Sequence, residues 1–227
     1  LQGLAMSIAL AGCLVGAMAC GSLADRLGRK PLLLLSAFIF LVSAYATGAF
    51  YTLEDFLGAR FLGGIAIGMA SGLSPMYIAE VAPSHIRGKL VSLNQLTIVL
   101  GILAAQTVNW LIAELMPAGT TVPAPDSWNV LMGWRWMFWS AAFPAAAFLL
   151  LTCFIPESPR YLLMKGRTEH SVKILTHIGG KAYADAQVRA MAEANQSTVK
   201  QGGLRLLFSK PYRRVLVLGV VMAVFQQ

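Results

Sequence analysis

Gln95, Ile98, Ile102, Gln106 and Asn109 recur at intervals of three and four residues within one apolar run. On a helix that spacing puts all five on one face. Polar side chains on an apolar membrane helix face protein or a water-filled cavity, not hydrocarbon. Two uses follow. The amides can hydrogen-bond a neighbouring helix. They can also hold a hydroxyl-rich ligand such as a sugar, because an amide offers donor and acceptor without the cost of a charge. A second constellation is ionic. Asp25, Arg26, Arg29 and Lys30 fall within six residues, around Gly28, in a chain that carries little charge. Glu80, Arg87, Glu157 and Arg160 also sit at the ends of apolar stretches. Such ends attract bases for interfacial reasons alone. That does not explain an acid among the bases, nor the glycine. A short loop forces a tight hairpin, and glycine allows the backbone angles it needs. Asp25 at a helix end can then bind a basic group or a helix N-terminus. Exposed pairs are individually weak, so a cluster of them can be made and broken as a latch. Arg60 is the lone base in the apolar run 56–79. It either snorkels to an interface or serves as a partner charge.

The elements that hold these residues are set by composition. The 227 residues are 57% hydrophobic and 12% charged, against roughly 25% charged in a soluble domain. Apolar runs fall near 1–23, 32–53, 56–79, 90–113 and 134–155, and a sixth begins near 214. The first five are each long enough to cross a ~30 Å hydrocarbon core as a helix. A transmembrane strand needs only ~10 residues, so the length of the runs argues against a barrel. The expectation is an all-α, polytopic membrane bundle. The chain opens and closes inside apolar runs and has no initiator Met, so a fragment of a longer protein is expected.

The formal net charge of +8 does not indicate nucleic acid, because the charge alternates. Sixteen of the 18 Lys and Arg lie in 24–31, 80–89 and 157–214. The connections 51–56 and 114–133 hold Glu54, Asp55, Glu114 and Asp126 with no base. That is the positive-inside pattern, and it predicts that 24–31, 80–89 and 157–213 are cytoplasmic. Cys13, Cys20 and Cys153 lie in apolar runs at no metal-binding spacing, and read as packing residues. His85, His170 and His177 form no catalytic set with any acid or nucleophile. No enzyme and no cofactor are expected.

Local signals refine the bundle. Gly64, Gly68 and Gly72 give small-xxx-small spacing for close helix contact in lipid. Pro75 predicts a kink in the third helix, and Pro144 stands in the middle of the fifth. Trp134 and Arg135 read as an anchor at the outer interface. Ser158 is placed as an N-cap, with Pro159 at the first helical position and Gly166 to stop a short helix. Helical patterns then cover 168–178, 182–199 and 203–209.

Several stretches carry a family resemblance. "GSLADRLGRKP" resembles the loop between the second and third membrane helices of the major facilitator superfamily. "RFLGGIAIGMASGLSPMYIAEVAPSHIRGKLVSLNQ" resembles the fourth helix, its loop and the fifth helix of sugar porters. "GWRWMFW" and "PESPRYLLMKGR" are similar to the start and exit of their sixth helix, and the terminal "FQQ" to a motif in their seventh. Within it, "SPMYIAEVAPSHIRGKLVS" is similar to bacterial D-xylose–proton symporters.

The resemblance implies the major facilitator fold, from its second to the start of its seventh helix. It divides the chain into a bundle at 1–155, a cytoplasmic helical linker at 156–212 and the start of a second bundle at 213–227. It implies that Gln95, Gln226 and Gln227 bind a monosaccharide, with Ile98 and Ile102 at the cavity wall. Xylose symporters are polar at Ile102 and animal facilitative glucose transporters are apolar, so pentose and hexose both stay open. Arg60 would pair with an Asp on the first helix and couple proton uptake to transport. Xylose symporters add a Glu on the sixth helix, where Ala141 stands here. Asp25, Arg29, Glu80, Arg87, Glu157 and Arg160 would form the network that closes an inner gate. The implied activity is alternating-access sugar uptake with proton symport by a monomer in the cell membrane. A facilitative uniporter and a transporter-like sugar sensor are the alternatives.

Overall fold

The computed structural model describes residues 2–114, 128–199 and 217–218. Among them there is no strand. A chain this apolar must satisfy its backbone within each segment, and helices do so. Among the described residues, four helices are long and apolar enough to cross a membrane unbroken: α1 (Gln2–Leu27), α2 (Arg29–Ala49), α3 (Leu53–Val81) and α4 (Arg87–Glu114). A fifth crossing, Leu131–Phe154, is built from a π-helical turn, Asn129–Gly133, then α5 (Trp134–Ser140) and α6 (Ala142–Phe154). The chain divides into two compact units, Leu1–Tyr161 and Leu162–Gln227.

In the first unit α1 lies along α3, and α2 packs on α3, α5 and α6. Lipid supplies no hydrophobic force between helices, so association rests on close packing. Glycines on both sides of the α1–α3 seam provide it. A Cβ at Gly12 or Gly16 would run into the carbonyl oxygen of Phe61 or Ile65. One at Gly64 or Gly68 would run into that of Ala9 or Cys13. The α3 glycines were legible as small-xxx-small spacing. Gly12 and Gly16, four apart on α1, carry the same signal and complete the contact. Toward the basic end the seam widens into a core of Cys20, Ala24, Leu32, Leu33, Met69 and Leu73.

The start of α3 is capped by Thr52, whose hydroxyl accepts from the Asp55 amide at 3.2 Å. Glu54 and Asp55 fall in that first turn, where the helix dipole favours acids. α3 continues through Pro75 to Val81 with no break. The fifth crossing does break, at Ala141. Pro144 has no amide hydrogen to give Ser140, and Ala141 donates to Phe138 at 3.1 Å in a tightened turn. The chain then leaves α6 in extended form at Ile155. Next comes α7 (Pro159–Met164), where Ser158 accepts from the Tyr161 amide at 3.4 Å. Gly166, at φ 73°, ends α7. Residues Thr168–Val199 (α8) are helical on either side of Gly180, whose φ of 83° breaks them in two. The predicted helix at 203–209 lies outside the described residues.

Arg135 gains partners that the sequence did not show. It is a buried clamp, 7% exposed. Its Nη1 donates to the carbonyls of Gly48 at 2.9 Å and Ala49 at 3.2 Å, at the end of α2. Its guanidinium also stacks on Tyr51 and Trp134, 4.1 and 4.7 Å from the ring centroids. A cation suits these carbonyls, which have no partner within the helix. Truncation leaves them without this partner. Arg135→Ala is expected to cost about 2–3 kcal/mol, and Arg135→Lys less. Thermal unfolding of the purified full-length protein checks this; equal Tm values for both variants and the wild type would refute it.

Candidate functional site

The ionic residues gather at the basic end of the first unit. α1 and α2 meet at Gly28 alone, at φ 100° and ψ 166°, a conformation open essentially only to glycine. A Cβ there would also sit 2.6 Å from Glu157 Oε2 and 3.0 Å from the Tyr161 ring. Gly28 has no side chain to cap α2. Glu157 does this from across the bundle, accepting from the amides of Arg29 at 3.0 Å and Lys30 at 3.1 Å. It also accepts from the Ser158 amide at 2.8 Å. A carboxylate at a helix N-terminus meets both free donors and the favourable end of the dipole.

Arg29 is the hub. Its side chain is 4% exposed, and Nη2 reaches Glu80 at 3.0 Å and Asp25 at 3.1 Å. Nη1 donates to the Ala24 carbonyl at 3.0 Å. The two acids are not equivalent. Glu80 is 7% exposed and Asp25 59%, so Glu80 is the buried partner and Asp25 a solvent-screened one. The other oxygen of Glu80 accepts from the Ser158 hydroxyl. Ser158 thus serves α7 as a cap and the ion cluster as a donor. Three further bonds hold the 153–161 strip in place. Tyr77 donates to the Pro156 carbonyl at 2.9 Å, Tyr161 to that of Arg26 at 3.1 Å, and Lys30 to that of Cys153 at 2.8 Å. Sequence reasoning did not single out Tyr77 or Tyr161 for this cluster, although both lay inside quoted stretches, "SPMYIAEVAPSHIRGKLVS" and "PESPRYLLMKGR".

The structure brings together Asp25, Arg29, Glu80 and Glu157. It leaves Arg87 and Arg160 out of this cluster. Both are exposed, and neither makes an ion pair among the described residues. Arg87 folds back on its own turn, 3.5 Å from the Ala82 carbonyl.

Arg60 lies toward the opposite end of α3. It does not snorkel outward. It is half-buried and lines an 80 Å³ cavity with Ser43 and Thr47 of α2, and with Phe138 and Ala141 of the fifth crossing. Its guanidinium lies over the Phe138 ring, 5.4 Å from the centroid. Among the described residues it makes no ion pair.

Gln95, Ile98, Ile102 and Gln106 stand exposed on α4, and Asn109 is half-buried. α4 is unbroken, so they share one face, and it buries none of its residues. Gln95, Ile98 and Ile102 do not line the cavities of 450, 300 and 80 Å³, the first two of which lie along α2. Gln226 and Gln227 lie outside the described residues. No group of His, Cys, Asp and Glu among the described residues could hold a metal ion.

Comparison with known proteins agrees with this architecture. The model of the family described as "Sugar (and other) transporter" matches residues 1–227. A glucose transport protein of Synechocystis is 44% identical over 202 residues, 88% of this chain and 41% of that protein. The arabinose-proton symporter of Bacillus subtilis is 37% identical over all of this chain and 47% of its own length. The D-xylose-proton symporter of Escherichia coli is also 37% identical, over 100% of this chain and 48% of its own. This chain therefore spans about half the length of the curated relatives it matches. A major facilitator superfamily proton:xylose symporter, solved with 6-bromo-6-deoxy-D-glucose bound, superimposes with a TM-score of 0.87 at 37% identity, over 99% of this chain and 49% of that one. The Escherichia coli xylose transporter in a partially occluded inward-open conformation gives 0.83 at 35%, over 99% and 52%. With its apolar crossings, glycine seam and ion-paired hairpin, the chain is a major facilitator bundle and belongs to the sugar transporter family.

Proposed function

We propose that this chain forms the first bundle, and the start of the second, of a transporter that takes up a monosaccharide by alternating access with proton symport. The observation that carries the reading is the Arg29 cluster. It ties α1, α2, α3 and the 153–161 strip together through bonds that two conformations can make and break. On this reading it is the inner gate, on the cytoplasmic side of the cell membrane, as the basic loops favour. The face of α4 bearing Gln95, Ile98 and Ile102 lines the sugar site near the midplane, and Gln226 and Gln227 are sugar-binding amides by resemblance. Sugar binding then biases the gate by its differential affinity for the two states. Arg60 belongs to the coupling machinery, where a cation lowers the pKa of a carboxylate brought beside it. The Bacillus and Escherichia relatives, named as proton symporters, support this.

A facilitative uniporter is the second reading. Ala141 favours it, since that wall of the Arg60 cavity carries a methyl group and no acid.

The test is uptake of labelled xylose, arabinose and glucose by the full-length protein in proteoliposomes, with and without an inward proton gradient. Concentrative uptake that collapses with the gradient is expected. Equilibrative uptake indifferent to it would make the protein a uniporter. No uptake of any of the three would remove the sugar-transport reading.

A further inference from the structure

We propose that Phe138 is the positioning residue for Arg60, holding the guanidinium in place by its ring face, a contact that does not itself neutralise the charge and leaves it free for a carboxylate. The inference rests on the symport reading for its consequence and on geometry for its substance. Arg60 reaches from α3 into the cavity and lies 5.4 Å above the Phe138 centroid. Ala141, nearly one turn further along the same crossing, lines that cavity with a methyl group. Among the described residues, no other side chain lining the cavity is titratable. The fifth crossing therefore holds Arg60 by a quadrupole and not by a carboxylate.

The ring is itself held. Phe138 meets Phe56 of α3 edge-on at 5.8 Å and 76°, and Trp134 at 6.3 Å and 80°. Phe56 and Trp134 also meet edge-on, at 6.3 Å and 70°, closing a triangle of rings. Trp134 in turn carries Arg135, which is bonded to the end of α2. Rings in edge-to-face contact resist rotation because each edge seeks the other's face. A continuous set of contacts thus runs from the C-terminus of α2 to Arg60.

The arrangement differs from an ion pair in one chemical respect. A carboxylate would both hold and neutralise the guanidinium. A ring face attracts the cation through its quadrupole and leaves the net charge at +1. Arg60 then keeps its full pull on any carboxylate that enters the cavity during transport. Weakening the ring's hold lets the guanidinium drift, and the pH dependence of uptake moves with it.

Fluorinated phenylalanines at position 138 test this in the full-length protein, because fluorine drains the ring quadrupole with little change of shape. One, two and three fluorines are expected to shift the pH midpoint of gradient-driven xylose uptake progressively. Phe138→Leu should lower that uptake about tenfold, within the range of a partly buried cation–π contact. Phe138→Tyr, which keeps the ring face, should restore it. A flat response to fluorination, or Phe138→Tyr as impaired as Phe138→Leu, would overturn the proposal. The contact is also read without transport. Fluorination should lower the Tm of the wild type and leave that of Arg60→Gln unmoved; equal effects in both backgrounds would overturn it. Wild-type uptake indifferent to the proton gradient would instead remove the symport reading, and the Tm comparison would still decide the contact.

Discussion

Arg29→Ala is expected to destabilise the bundle by about 3–5 kcal/mol and to abolish uptake. The magnitude comes from Glu80, not Asp25. The Glu80 side chain is 7% exposed, and among the described residues it keeps only the Ser158 hydroxyl as a hydrogen-bond partner without Arg29. Breaking a buried pair leaves one charge in a medium that solvates it poorly. The Asp25 pair is screened by water and adds at most about 1 kcal/mol. Arg29→Lys should not restore the cluster, because an ammonium cannot reach Ala24, Asp25 and Glu80 with a planar fork. The double variant Arg29→Met/Glu80→Leu separates stability from function. Replacing both partners by apolar groups is often neutral for folding. It should therefore recover the Tm of the full-length protein while uptake stays lost, since an apolar plug cannot open and close as a set of ion pairs does. A single Arg29→Ala variant with wild-type Tm would show that the pair holds nothing together.

Gly68→Leu is expected to be more severe and to yield no folded protein. A Cβ at this position meets the Cys13 carbonyl oxygen, and the Ala17 amide nitrogen lies 2.9 Å from it. Both are backbone atoms of a helix and cannot swing aside as a side chain can. The seam would have to open along its length, losing the contacts at Gly12, Gly16 and Gly64 together. Overpacking costs about 1–3 kcal/mol where a core can adjust; here it cannot. Gly58→Ala is the control on the same helix, where a Cβ meets nothing within 4 Å. It should leave the Tm unchanged or raise it, since alanine favours a helix by about 1 kcal/mol. Size-exclusion profiles of the two variants decide the point. A monodisperse, transport-competent Gly68→Leu would show that the seam does not hold α1 to α3.

Much of this was readable along the chain. Each apolar run must close its own backbone bonds in lipid, so five crossings follow from length and composition. The hairpin at Gly28, the Ser158 cap and the stop at Gly166 follow from local backbone chemistry. The common face of Gln95, Ile98 and Ile102 follows from helical period alone. Partnership did not follow. Arg29 could have paired with any acid at the basic end; that it takes Glu80, with Asp25 at the rim and Glu157 on the backbone, depends on how α2 and α3 are rotated about their axes. The same rotation places Arg60 over Phe138 and buries Arg135 against the end of α2, and neither contact leaves a trace in spacing. Periodicity says which residues share a face. Which faces meet is decided by how closely helices can approach, and here four glycines on α1 and α3 set that distance.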